Sequence, residues 1–202
     1  MRNSYLHQAM NYLAHAYLSF NDPEILLGNM ISDYVKGRKK FDYEPGILKG
    51  IMLHRAIDTF TDQHPVTKTA MKFFKPAYGL YAGAFVDVVY DHFLALDENE
   101  FNETSLYTFS QNTYHILEGY NEQFPVKFQM MFPYMKQHDW LSNYRHRWAI
   151  DRSFHGLVNR AAYLTESDTA FKYFEKHYES LRECYQIFFP ELKLFAKEKF
   201  KS

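Results

Sequence analysis

A single cysteine, Cys184, stands among 202 residues, so no disulfide within the chain can staple the fold. Stability has to come from a packed core. Such cysteine usage fits a reducing cytoplasm, the expected location, and a thiol inside an apolar helical pattern is expected to be buried and inert. Charge of one sign is also missing. With 23 Lys and Arg against 24 Asp and Glu, the chain lacks the global field that draws a protein to nucleic acid or to an anionic membrane surface. No 18 apolar residues follow one another, which excludes an expected membrane span. Near the start His7, Gln8, Asn11 and His15 break the apolar residues, so no export signal is expected either. Period-two alternation and Asn-Gly or Asp-Gly hairpin turns are absent, which argues against a sheet.

What is present is aromatic. Seventeen Tyr and nineteen Phe predict a core built from large rings whose polar tips reach partners. The length suits one domain, 1–202, and no repeat or low-complexity linker divides it. Asp22-Pro23-Glu24 predicts a helix start, with the helix running to about Lys36 and stopped by Gly37. Glu44-Pro45 opens another, punctuated at His64-Pro65. A shorter helix is predicted over Lys68 to Phe74, then a long apolar one from Tyr78 to Leu96, in which Gly79 and Gly83 suggest close packing. Later helices are predicted from Pro125, over Asp151 to Leu164 and over Ser167 to Phe189, with Asp139 capping a turn at Trp140 and Pro190 bending or ending the last one. The fold class is all-α, a single-domain helical bundle.

Inside these apolar segments lie groups that are costly to bury alone: Asp33, then His54, Asp58 and Asp62, then Asp87, Asp91 and His92. His54 and Asp58, four apart, project from one helix face with Cβ atoms about 6 Å apart and suit one cation. Asp62 lies about 12 Å along the axis from His54 and is a candidate for a supporting role or a second metal. Asp87 and Asp91 repel one another on one face and call for counter-charge, from a cation or from Arg55. Asp33, near a helix C-terminus, opposes the macrodipole in the same way. His15, alone on an apolar face, reads as a hydrogen-bonded core residue, and His64 as a turn residue. Oxygen and imidazole donors without thiolate favour Mn²⁺, Fe²⁺, Mg²⁺ or Zn²⁺ over copper, the carboxylate-rich balance tilts towards Mn²⁺ or Mg²⁺, and phosphoester hydrolysis is the natural chemistry.

The stretches Met10–His15, Gly28–Gly37, Gly50–Pro65 and Asp87–Leu94, with the ending Phe188-Phe189-Pro190-Glu191-Leu192, resemble the acyl carrier protein phosphodiesterase family. That family is similar to the helical HD phosphohydrolases, although here His54 and Asp58 are separated rather than adjacent. The resemblance implies Mn²⁺-dependent hydrolysis of the phosphodiester joining 4′-phosphopantetheine to a serine of acyl carrier protein. It also implies that Met10 aligns with the usual first residue, leaving 1–9 as an extension or alternative start. The expected metal ligands are Asp33, His54, Asp58, Asp91 and His92. Asp87 or Asp62 would orient ligands or take a proton, and Arg55 would stabilise phosphate charge. The acidic carrier protein calls for a basic docking surface, for which Lys36, Arg38, Lys39 and Lys40 form one cluster, Lys68, Lys72 and Lys75 a second, and Arg145 with Arg147 a third. Two rival readings keep part of this picture: a metal phosphohydrolase for a nucleotide or other small phosphoester, and a non-catalytic helical module binding an acidic protein.

Overall fold

The computed structural model describes residues 11–201; the expected extension and the Met10 start lie outside the described residues. Among these there are eleven α-helices and no strand. The first two are α1 (Tyr12–Tyr17) and α2 (Pro23–Ile31). Asp22 opens α2, its carboxylate accepting the backbone N–H groups of Glu24 and Ile25, and Pro23 takes the first helical position. Helix α2 stops short of the expected Lys36. The chain tightens there into two 3-10 segments, Ser32–Tyr34 and Gly37–Asp42, so Asp33 sits on a turn just past a helix end.

Helix α3 (Pro45–Gln63) packs on α2 at backbone distance. A Cβ on Gly28 would stand 2.0 Å from the Ile47 carbonyl oxygen, and one on Gly50 would stand 2.4 Å from that of Ile25. Only glycine permits this approach. The close packing expected at Gly79 and Gly83 is not there. Gly79 has nothing within 4 Å and serves, at φ +52°, to end α4 (Pro65–Tyr78), while a Cβ on Gly83 would make only ordinary contact with Met71.

Helix α4 is longer than its predicted core because Pro76 falls in its last turn, where the missing N–H costs a single bond. His64 links α3 to α4 as the expected turn residue, its Nδ1 accepting the Val66 N–H at 3.3 Å. Helix α5 (Ala82–Ala95) is apolar on nearly every side because other helices surround it. Next come α6 (Glu103–Glu118), opened by an Asn102/Ser105 capping box, α7 (Val126–Gln137), α8 (Trp140–Asn143) and α9 (Arg147–Arg160). Asp139 precedes α8 as expected but makes no side-chain cap, and it adopts φ +41°. The predicted helix from Ser167 divides at His177 into α10 (Asp168–Lys176) and α11 (Tyr178–Lys201). Pro190 does not end α11, because Phe188, Phe189, Leu192 and Ala196 remain buried across it.

The core is built of rings, as the composition predicts. Phe74 of α4 stacks on Phe85 of α5 at 5.7 Å, Phe85 meets Phe154 of α9 edge-on at 5.1 Å, and Phe154 meets Phe174 of α10 at 6.2 Å. Cys184 is buried, and burial pushes its thiol pKa up. No described helix is long and apolar enough to cross a membrane.

Candidate metal centre

Helices α1, α2 and α3 meet at Asn29, and this one buried residue fixes two imidazoles. Its side-chain nitrogen donates to the His15 carbonyl at 2.8 Å and to Ser19 Oγ at 3.1 Å, so its Oδ1 is an acceptor. His15 Nδ1, 2.8 Å from that oxygen, must therefore carry the proton. Asn29's own carbonyl accepts from His54 Nδ1 at 2.8 Å. Both rings are thereby held with Nε2 on the same side, stacked at a centroid distance of 3.9 Å.

Those two nitrogens converge on carboxylates. His15 Nε2 lies 3.2 Å from Asp58 Oδ1, and His54 Nε2 lies 3.1 Å from Asp58 Oδ2 and 3.3 Å from Asp33 Oδ1. His15 Nε2 is buried and, despite its closeness to Asp58, makes no hydrogen bond of acceptable geometry. A bare imidazole nitrogen facing a carboxylate oxygen is acceptor against acceptor, which only a proton or a cation between them relieves. Ligand atoms from His15, His54 and Asp58 all lie within 4.8 Å of one another, a spread that one ion can span.

The electrostatics repeat this demand. Burial lowers the His15 pKa, and neighbouring His54 lowers it further. Burial also opposes the charged form of His54, but Asp58 and Asp33 overcome it and raise that pKa well above the ordinary histidine value. Burial favours neutral Asp58, yet the two imidazoles hold its carboxyl far below the usual range. Asp87 of α5 is raised well above it, first by burial and then by the surrounding carboxylates of Asp58, Asp62, Asp91 and Asp33. The site is rich in negative charge and calls for a positive partner. Arg55 does not fill that gap, because its Nη2 donates to the Val35 carbonyl at 2.8 Å and so braces the turn that carries Asp33.

Two expected ligands are employed elsewhere. Asp91 is fully buried, and its two oxygens accept the backbone N–H groups of Leu13 and Ala14, each at 2.9 Å. It thus caps the start of α1 from a distant part of the chain. Successive residues on a helix diverge by about 100°, so His92 points away from the cluster. Its Nδ1 donates to the Tyr144 carbonyl at 2.7 Å, and its Nε2 accepts from the Tyr178 hydroxyl at 2.9 Å. Burial lowers the His92 pKa to about 4.

This makes His92 a source of acid sensitivity. A histidine folded neutral at about 4 and titrating near 6.5 when unfolded contributes stability that is complete above pH 6.5 and is lost as pH falls towards 4. The shift corresponds to roughly 3–4 kcal/mol. Urea unfolding of wild type and His92→Asn at pH 7 and pH 4.5 is expected to show a smaller acid loss in the variant; equal losses would remove His92 as the cause.

The sequence profile of the acyl carrier protein phosphodiesterase family matches residues 10–192. The chain belongs to that family. Relatives named acyl carrier protein phosphodiesterase include those of Yersinia pestis and Serratia proteamaculans, each 31% identical over 191 residues, covering 94% of this chain and 99% of the relative. That of Photorhabdus laumondii is 30% identical, covering 94% and 96%. No solved structure matches the chain. The match to the acyl carrier protein phosphodiesterase family spans every residue of the cluster, including His15, which its lone place on an apolar face had set aside as a core residue.

Proposed function

We propose that the chain hydrolyses the phosphodiester joining 4′-phosphopantetheine to a serine of acyl carrier protein, in the cytoplasm, with a divalent cation held by His15, His54, Asp58 and Asp33. The observation that carries the reading is the pair of Asn29-fixed imidazoles whose Nε2 atoms face Asp58. Family membership supplies the carrier protein as substrate. A second imidazole shifts the balance of donors from Mg²⁺ towards Mn²⁺, with Fe²⁺ and Zn²⁺ next.

Bound there, the cation supplies positive charge for a phosphoryl oxygen and lowers the pKa of water. The chain's own residues do the rest. Asn29 holds both rings in one tautomer and orientation, and Arg55 keeps the Asp33 turn in place through Val35. Asp87, pushed towards its protonated form, holds a proton for the departing serine oxygen, with Asp62 at the exposed edge exchanging that proton with solvent. Water attacks phosphorus and releases one proton to solvent, the bond from phosphorus to the serine oxygen breaks, and that oxygen takes the proton held by Asp87.

Docking falls to Lys36, Arg38, Lys39 and Lys40, which follow directly on the Asp33 turn and are exposed apart from half-buried Lys40. Arg145 and Arg147 are engaged with Glu103 and Glu175, at 2.9 and 2.7 Å, and are less suited to it. Incubation of holo carrier protein with the enzyme and Mn²⁺ should reduce the carrier's mass by the phosphopantetheine group. EDTA should stop the loss and added Mn²⁺ restore it. An unchanged carrier mass under all three conditions would defeat the reading.

A further inference from the structure

Trp140, Tyr144, Trp148, Arg152, Arg160 and Asp139 line a cavity of about 540 Å³ beside α8 and α9. Its volume lies within the range typical of small-molecule sites. Nothing in the reaction described above uses it, yet a chain of side-chain contacts leads from it to the cluster. The Trp140 ring lies 6.4 Å from that of Tyr12, whose hydroxyl is 2.8 Å from the Tyr34 hydroxyl, and Tyr34 follows Asp33 in the chain. Arg160 stands near the same end: burial raises the Tyr34 pKa, and the Arg160 charge opposes that rise. Tyr12 and Tyr34 therefore link the edge of the cavity to the turn that carries Asp33.

We propose that this cavity receives the pantetheine arm of the carrier protein, the neutral chain of methylenes, amides and terminal thiol beyond the phosphate. The proposal rests on the phosphodiester reading above. The lining suits such an arm on both counts. Indole faces and Ala149 offer apolar surface to methylenes, whereas Asn143, Ser153 and the two arginines offer partners to amides. With the phosphate at the cluster, the arm runs past Arg160 and between the two indoles.

The two tryptophans of the chain both line the cavity, so intrinsic fluorescence reports on it directly. Pantetheine, which carries no phosphate, is expected to quench wild-type emission saturably, and Ala149→Phe, which fills the cavity, to raise the half-saturation concentration at least tenfold. The same variant should lower kcat/KM for holo carrier protein at least tenfold more than for bis(4-nitrophenyl) phosphate, a diester without the arm. Trp148→Ala, at a half-exposed position that folding tolerates, should act in the same direction. A flat titration at millimolar pantetheine, or variants that keep the wild-type ratio of the two substrates, would overturn the assignment while leaving an active enzyme. Failure of the wild type to hydrolyse either diester with Mn²⁺ would instead sink the phosphodiester reading, and with it the cavity's role.

Discussion

Asp58→Ala is expected to reduce hydrolysis of holo carrier protein by at least about a thousandfold, equivalent to about 4 kcal/mol of transition-state stabilisation. No other side chain in the cluster touches both imidazoles: one oxygen faces His15 at 3.2 Å and the other faces His54 at 3.1 Å. Removing it deletes a donor and leaves two nitrogens without the charge that orients them around an ion. The fold should survive, because Asp58 is one-third exposed and sits inside a helix that its neighbours Ile57 and Thr61 anchor in the core. Metal content by mass spectrometry should fall with activity, while helical circular dichroism should not. A variant reloaded with Mn²⁺ that works within tenfold of wild type would remove Asp58 from the ligand set.

Asp91→Ala should do the opposite first, damaging stability and only then activity. Its carboxylate is buried and satisfies two backbone N–H groups at the start of α1. Each of the two donors left buried without a partner costs about 1–3 kcal/mol, so a total of roughly 2–6 kcal/mol is expected. Asn, which retains one acceptor oxygen, should fall between Ala and wild type. His15 rides on α1, so activity should decline as the helix loosens, with excess Mn²⁺ recovering part of it by binding the folded state. Urea unfolding with and without Mn²⁺ tests this. Stability within 0.5 kcal/mol of wild type, together with lost metal, would make Asp91 a ligand after all.

The sequence made the architecture readable wherever local signals agreed with tertiary needs. Asp22-Pro23 and Glu44-Pro45 open helices as capping and proline geometry require, and the aromatic content did become a ring-packed core. Legibility failed where packing overrode punctuation. Pro190 reads as a stop, but the buried residues on both sides of it carry α11 through. The cluster was legible where its members share one helix, as His54 and Asp58 do. His15 was not, because its significance depends on Asn29, fourteen residues away, setting its tautomer. Asp91 misled for the same reason: a carboxylate in an apolar helix signals an unmet positive partner, and only the structure reveals two backbone amides rather than an ion.

The glycine contact between α2 and α3 has a consequence for how an ion is taken up. Because Gly28 and Gly50 bring the two backbones together with no cushion of side chains, Asn29 and His54 cannot shift independently. The cradle is therefore formed during folding, and capture of a cation need not draw these helices together. Were a cation held there as proposed, selectivity would follow from a fixed aperture that rejects ions whose preferred bond lengths it does not match, rather than from a grip that adapts to each.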